Sequence, residues 1–238
     1  MTPSVLIVAH GQPSNPAPPE VEMASLADKV AAALPGWTVR AATLAAPNAL
    51  MVAAQRLDSP VIFPLFMGNG WFIRTLLPRR LSEAGVTAPR ILTPFGLLPD
   101  TARLAVDVLA EALAARNWHS QESTLILAAH GSGRSPYPAE AARALQEAIA
   151  THLPFAESRL GFIEEAPELV EIAEDAGPRA VCLPLFVARW GHVEADIPAA
   201  LHAAGFRGIT LPPLGTDPRV PALIAKAIAN ALIPSASP

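Results

Sequence analysis

The chain has 238 residues, of which 51% are hydrophobic and 16% charged, so it can bury a sizeable core and is not generally disordered. A net charge of −4 supplies no basic field for nucleic acid, and no apolar stretch approaches the roughly 20 residues of a membrane helix. The single cysteine, Cys182, excludes an intramolecular disulfide, and its apolar surroundings predict a buried thiol. Because the N-terminal apolar run is too short for a signal sequence, we expect a cytoplasmic protein without nucleic-acid or membrane partners.

The first half of the chain alternates strand patterns with helix patterns. Short runs of branched and aromatic residues predict strands at 4–9, 37–44, 60–66 and 90–93. The segments between and after them predict helices at 21–34, 47–57, 71–84 and 99–116. Strands that are apolar throughout and alternate with helices are typical of a parallel sheet that is covered on both faces.

The second half repeats this order. Strands are predicted at 124–129, 158–163, 180–186 and 208–211, and helices at 139–152, 167–176, 193–204 and 219–232. We expect the remaining residues, 233–238, to be frayed. Each half is thus predicted to be an α/β domain with a small parallel sheet and flanking helices.

An internal duplication explains why the two halves agree. Ala-His-Gly at 9–11 recurs at 129–131 and Pro-Leu-Phe at 64–66 recurs at 184–186, each 120 residues later. The pair Gly85 and Gly205 keeps the same offset, as do several prolines at helix starts. The stretch 118–123 is polar and lacks periodicity, so we predict a first repeat at 1–119 and a second at 120–238.

The two repeats differ in their ionisable residues. At the offset of 120, Phe72 in the first repeat occupies the position of a histidine in the second, and Arg74 occupies that of a glutamate. The strand-end histidine alone occurs in both repeats, as His10 and His130. The ionisable residues of the second repeat that lack such a counterpart are Glu164, Glu165, His192 and Glu194. This asymmetry predicts one working site, in the second repeat.

Three of these side chains follow the carboxyl ends of predicted parallel strands, and such ends share one edge of a sheet. They are His130, Glu164 and His192. Two imidazoles and a carboxylate suit a divalent metal such as Co²⁺, Fe²⁺, Ni²⁺ or Zn²⁺, and they can also accept protons near neutral pH. Glu194 is a further candidate ligand from its position. The alternative is that each histidine is a structural residue that caps a strand end and binds no metal.

At these residues the sequence resembles the class II tetrapyrrole chelatases, the cobaltochelatase and ferrochelatase family that acts on sirohydrochlorin. The resemblance rests on His-Gly-Ser at 130–132, Phe-Ile-Glu at 162–164 with Pro167, and Pro-Leu-Phe at 184–186 followed by Gly-His-Val-Glu-Ala-Asp-Ile-Pro at 191–198. It implies two similar α/β domains with a cleft between them, and insertion of a divalent metal into sirohydrochlorin without an organic cofactor. Cobalt, for cobalamin, is the first choice of metal and iron, for siroheme, the second; Ni²⁺ also suits the donors.

The resemblance also implies roles for the candidate residues. The metal-facing histidines of the family match His130 and His192, and its acidic residue matches Glu164, or Glu165 after a slip of one residue. Phe72 departs from the pattern, in the position of the second histidine of the first repeat.

Sirohydrochlorin carries many carboxylates, so cationic groups and N–H donors are expected around it. The candidate arginines are Arg74, Arg79, Arg80, Arg134 and Arg189. The backbone N–H groups of Ser132 and Gly133 are candidate donors, and His10 is a further candidate for binding the tetrapyrrole.

Two other functions compete with this interpretation. A strand-end histidine before glycine also occurs in the histidine phosphatases, but Ala9 and Ala129 stand where a phosphate-binding arginine would be required. The second alternative is a carrier that binds a tetrapyrrole or a metal without turnover. Because a fused duplication already provides two paired halves within one chain, we expect a monomer.

Overall fold

The computed structural model describes residues 2–55 and 57–231. Residue 232 of the predicted last helix and the predicted frayed tail, 233–238, lie outside the described residues. Within the described part of the chain, the strands form two four-stranded sheets, and all the strand pairs are parallel.

The first sheet contains strands from the first repeat. Its strands are β1 (Ser4–Ala9), β2 (Thr38–Thr43), β3 (Val61–Pro64) and β4 (Arg90–Ile91), in the order β2-β1-β3-β4. All residues of the central strands β1 and β3 are buried, as their continuous apolar sequences predict. The edge strand β4 has only two residues.

The second sheet has the same order. Strands β5 (Thr124–Ala129), β6 (Glu157–Phe162), β7 (Ala180–Pro184) and β8 (Ile209–Thr210) are arranged as β6-β5-β7-β8. Ala129 lies opposite Phe162, and Ala128 opposite Pro184, so β5, β6 and β7 end at nearly the same level. The predicted α/β fold with two similar parallel sheets is confirmed.

Helices connect the strands. They are α1 (Ala17–Ala33), α2 (Ala49–Ala54), α3 (Leu77–Glu83), α4 (Pro99–Ala114), α5 (Tyr137–His152), α6 (Leu169–Ala173), α7 (Ile197–Ala203) and α8 (Val220–Ala231). Short 3₁₀ turns lie at Phe95–Leu97, Ser120–Glu122 and Leu214–Thr216. Among the described residues, no helix has both the length and the apolar composition required to cross a bilayer.

Two segments that were predicted as the starts of regular helices are π-helical turns. They span Phe72–Leu76 before α3 and His192–Asp196 before α7. In the second turn, the N–H of Ile197 donates to the carbonyl of His192, five residues earlier. The next residue, Pro198, has no N–H to donate to the carbonyl four residues before it, so a regular α-helical pattern cannot continue through this point.

The core beside each sheet uses equivalent positions of the two repeats. Leu77 and Leu81 pack in the first core, and Ile197 and Leu201 take their places in the second. Cys182 is fully buried in the second core, and burial raises the pKa of its thiol to about 12. This cysteine is therefore a small apolar core residue, as predicted.

A thiol reagent tests the burial of Cys182. Because the raised pKa leaves almost no thiolate at neutral pH, we expect no reaction with a disulfide reagent in the folded protein. After denaturation, the single cysteine should react completely. Rapid reaction under native conditions would contradict the buried strand position.

The compact units of the structure differ from the sequence repeats, because each repeat contributes its last helix to the other unit. The first unit comprises the described residues of 2–66, 71–98 and 218–231, and the second comprises 67–70 and 99–217. Helix α4 packs against α5 within the second unit, whereas α8 packs against α1 within the first. The repeats 1–119 and 120–238 remain a prediction. Their bounds follow the sequence periodicity, which carries no information on the long-range contacts that place α4 and α8 in the other unit.

Gly161 allows α6 to approach β6 closely, just before the strand end that carries Glu164. A Cβ atom at this position would lie 2.4 Å from Cγ1 of Ile172 and 2.8 Å from Cα of Leu169. We therefore expect Gly161→Ala to lower the free energy of unfolding by about 1–3 kcal/mol, measured by urea denaturation. Gly70→Ala is the control, since its added Cβ meets ordinary contacts of 3.7 Å or longer. Equal stabilities of the two variants would contradict this packing.

Candidate metal and active site

His130 follows directly after β5, at the carboxyl edge of the second sheet. Its Nδ1 lies 2.9 Å from the carbonyl oxygen of Gly131, which can only accept, so Nδ1 carries the hydrogen and Nε2 offers a lone pair in the neutral ring. Gly131 has a φ of 74°, and a Cβ there would lie 2.8 Å from Cγ of Glu165. Glycine is therefore required for the turn that presents His130.

Glu164 reaches the same edge from the neighbouring strand β6. Its backbone N–H donates to the carbonyl of His130 at 2.9 Å, which holds the two strand ends together. Its Oε1 lies 3.7 Å from Nε2 of His130, and both side chains are about half exposed, at 52% and 43%. Glu165 instead accepts a hydrogen bond from the backbone N–H of Ser132 at 3.1 Å. The structure thus gives the two adjacent glutamates different partners.

His192 is the first residue of the π-helical turn that follows β7. Its ring centroid lies 4.6 Å from that of His130, with the two rings nearly perpendicular at 87°. Its Nδ1 lies 2.6 Å from Oδ2 of Asp196, four residues later. Because an ionised carboxylate only accepts, Nδ1 of His192 donates this hydrogen bond, and Nε2 is left with the lone pair.

The three predicted site residues therefore meet in space. One potential ligand atom from each of His130, Glu164 and His192 lies within 4.8 Å of the others. Two imidazole nitrogens and a carboxylate oxygen are suitable donors for Fe²⁺, Co²⁺, Ni²⁺ or Zn²⁺. The side chains are all partly exposed, so an ion held by three protein ligands would keep positions open for other donors.

The other predicted residues of the second repeat have different surroundings. Glu194 is exposed on the same π-helical turn and is not a member of the three-residue group, so its role as a ligand remains a prediction. The N–H of Ser132 donates to Oε1 of Glu165 at 3.1 Å, and its contact with a substrate carboxylate remains a prediction. Gly133, Arg134 and Arg189 are exposed and remain candidates for such contacts.

The first unit contains a related but altered strand edge. Nδ1 of His10 lies 2.8 Å from the carbonyl oxygen of Gly11, as in the second repeat. The ring of Phe72 contacts His10 edge to face, with centroids 4.3 Å apart at 75°, so a phenyl ring occupies the place of the second imidazole. Arg74 is exposed on this turn, while Arg79 and Arg80 form ion pairs with Glu83 at 3.5 and 3.3 Å.

Asp196 contacts a site histidine although it is not among the predicted site residues. The spacing of four between His192 and Asp196 is the signal that could have found it, because residues four apart lie on one face of a helix. The sequence alone does not show whether the carboxylate of Asp196 accepts a hydrogen bond from His192 or caps the following helix.

Known proteins share the motifs and the fold of this chain. The profile of the CbiX family matches residues 124–231, which include all three members of the candidate metal group. Among curated protein sequences, none matches the chain significantly. Among solved structures, a similar one is CbiX, described as the terminal enzyme for biosynthesis of siroheme in denitrifying bacteria. It is 48% identical, with a TM-score of 0.89, over 96% of this chain and 99% of that one.

Two more distant structures share the fold. SirB from Bacillus subtilis with Fe³⁺ is 13% identical with a TM-score of 0.76, over 97% of this chain and 95% of that one. The sirohydrochlorin chelatase SirB from Bacillus subtilis subspecies spizizenii, in complex with cobalt, is 12% identical with a TM-score of 0.69, over 97% and 93%.

Two similar parallel sheets with an open imidazole and carboxylate group at one strand edge define an α/β protein of the chelatase fold. The identity of 48% over nearly the full length of both chains makes the assignment more specific. The chain belongs to the CbiX family of class II chelatases, as its motifs indicated.

Proposed function

We propose that this protein inserts Fe²⁺ into sirohydrochlorin to form siroheme. The observation that carries the proposal is the convergence of His130, Glu164 and His192 at one strand edge. The 48% identical CbiX, described as the terminal enzyme for biosynthesis of siroheme, supports iron as the metal. Cobalt, the first choice from the sequence alone, is retained as the second candidate because the same donors accept Co²⁺.

The proposed site meets the two chemical requirements of metal insertion. The macrocycle must lose two pyrrole N–H protons, and the ion must exchange its first ligands for ring nitrogens. Nε2 of His130 and Nε2 of His192 carry lone pairs in the neutral rings, so they can hold the ion or accept a proton. Glu164 adds a negative charge that favours a divalent cation over water at this edge.

Exposed cationic groups are proposed to hold the carboxylates of the substrate. Arg134 and Arg189 lie in the same unit as the metal group, and Arg74 lies on the equivalent turn of the first unit. Guanidinium groups bind carboxylates in a bidentate manner, which fixes the orientation of a polycarboxylate ligand. The backbone N–H of Gly133, an exposed residue, is proposed as an additional donor.

Turnover under anaerobic conditions tests the proposal against the carrier alternative. Sirohydrochlorin and Fe²⁺, each in large excess over protein, are mixed, and insertion is followed by absorbance. The proposal predicts many product molecules per chain, at a rate above that without protein. Product formation that stops at one equivalent per chain, or that never exceeds the uncatalysed rate while the macrocycle still binds, would contradict catalysis and favour a carrier. A parallel series with Co²⁺ compares the two metals.

A further inference from the structure

Asp196 is the last residue of the π-helical turn His192–Asp196 and immediately precedes α7. Its backbone is already helical, with φ −74° and ψ −42°, and its side chain makes no capping hydrogen bond to α7. Its Oδ2 instead lies 2.6 Å from Nδ1 of His192. We propose that Asp196 is a positioning residue, which fixes the ring orientation and tautomer of His192 so that Nε2 is presented to the metal ion. This inference rests on the proposed function for its biological purpose.

The first repeat shows that the turn itself does not require this hydrogen bond. At the offset of 120, Phe72 and Leu76 replace His192 and Asp196, and neither side chain can form the bond. The segment nevertheless forms the same five-residue π-helical turn, Phe72–Leu76, with the same backbone bond that closes it. The carboxylate and the imidazole are therefore present together in one repeat and absent together in the other, as expected for a pair that serves the metal group.

The two histidines use different acceptors to reach the same orientation. Nδ1 of His130 donates to a neutral backbone carbonyl at 2.9 Å, whereas Nδ1 of His192 donates to a carboxylate. A carboxylate acceptor fixes the tautomer of a ligating histidine and makes its other nitrogen a stronger ligand for the metal ion. The side chain of His192 is 39% exposed, and its ring centroid lies 4.6 Å from that of His130 and 6.3 Å from that of Phe186. These ring contacts do not decide which nitrogen of His192 carries the hydrogen, whereas a carboxylate acceptor does.

The tautomer of His192 gives a test that is independent of metal insertion. Protein labelled with ¹⁵N-histidine is examined by NMR without metal, at a pH about two units above the ordinary histidine pKa. We expect the wild type to hold His192 with hydrogen on Nδ1. In Asp196→Leu, which introduces the residue of the first repeat, and in Asp196→Ala, we expect a mixture with hydrogen largely on Nε2. Asp196→Asn keeps an oxygen acceptor and should keep the wild-type tautomer.

The affinity for Co²⁺ alone is the second readout. We expect Asp196→Leu and Asp196→Ala to raise the Kd for Co²⁺ by about 10–100-fold, and Asp196→Asn to raise it less. Asp107→Asn removes a carboxylate from the exposed face of α4 and serves as the charge-matched control, with an unchanged Kd. Using two apolar variants keeps the test decisive if one of them does not fold.

The outcomes separate this inference from the proposed function. A wild-type tautomer in a folded Asp196→Leu or Asp196→Ala protein, or a Kd for Co²⁺ within twofold of the wild type, would overturn the positioning role. A tautomer change together with weaker Co²⁺ binding would support it, even if the wild type proved unable to insert metal into sirohydrochlorin. In that case the proposed function would fail and the role of Asp196 toward a bound ion would stand.

Discussion

Replacement of His192 by alanine is expected to lower the rate of metal insertion by about 10²–10⁴-fold, the range over which a positioned acid or base contributes. The variant removes one of the two imidazoles that meet at the strand edge, where the ring centroids lie 4.6 Å apart. Because the side chain is 39% exposed and lies outside the buried core, the free energy of unfolding should change little. Initial rates from anaerobic absorbance, with circular dichroism of the same samples, measure both quantities.

Other histidines provide the comparisons for this variant. His152 is exposed near the end of α5, so His152→Ala should keep the wild-type rate. His10→Ala should lose much less activity than His192→Ala, because Phe72 leaves the edge of the first sheet without a second imidazole. Equal losses in His10→Ala and His192→Ala would contradict a single site in the second unit.

The three candidate carboxylates should differ in the loss of insertion rate when each glutamate is replaced by glutamine. Glu164→Gln is expected to reduce the rate by about 10²-fold or more, with a raised KM for the metal, because it removes the charge 3.7 Å from Nε2 of His130. Glu165→Gln should have a smaller effect, since an amide oxygen can still accept the hydrogen bond from the N–H of Ser132. Glu194→Gln tests the further predicted ligand, and we expect a smaller loss than in Glu164→Gln because Glu194 lies outside the three-residue group.

Steady-state kinetics with varied Fe²⁺ at saturating sirohydrochlorin distinguish these variants. A loss in Glu194→Gln that matches the loss in Glu164→Gln would show that the carboxylate of the site is assigned incorrectly. Thermal unfolding of each variant serves as the control for folding, since all three side chains lie at the surface or are only partly buried.

The sheets and the strand-end residues could be predicted because their signals are local. Strand β7 and the residues of β5 after Thr124 are apolar and buried, and parallel strands place their carboxyl ends at one edge. The repeat offset then identified which histidine lacks a counterpart. The choice between Glu164 and Glu165 remained open, because adjacent residues at a strand end point in different directions that depend on the loop.

The π-helical turns and the helix exchange could not be predicted in the same way. An apolar pattern at 193–204 is compatible with an α-helix, and only the backbone shows the bond between Ile197 and His192 that spans five residues. The exchange of α4 and α8 between the units depends on which apolar faces fit together. Periodicity shows that a helix has an apolar face but does not identify the face against which it packs.

Anomalous diffraction at the cobalt edge, from crystals grown with Co²⁺ and without tetrapyrrole, tests whether the metal binds at the edge of the second sheet. We expect one specific peak per chain, bound by Nε2 of His130, Nε2 of His192 and a carboxylate oxygen of Glu164. A cobalt peak beside His10, or a cobalt site without Glu164, would contradict this expectation. So would crystals of active protein in which the edge of the second sheet binds no cobalt at saturating concentration.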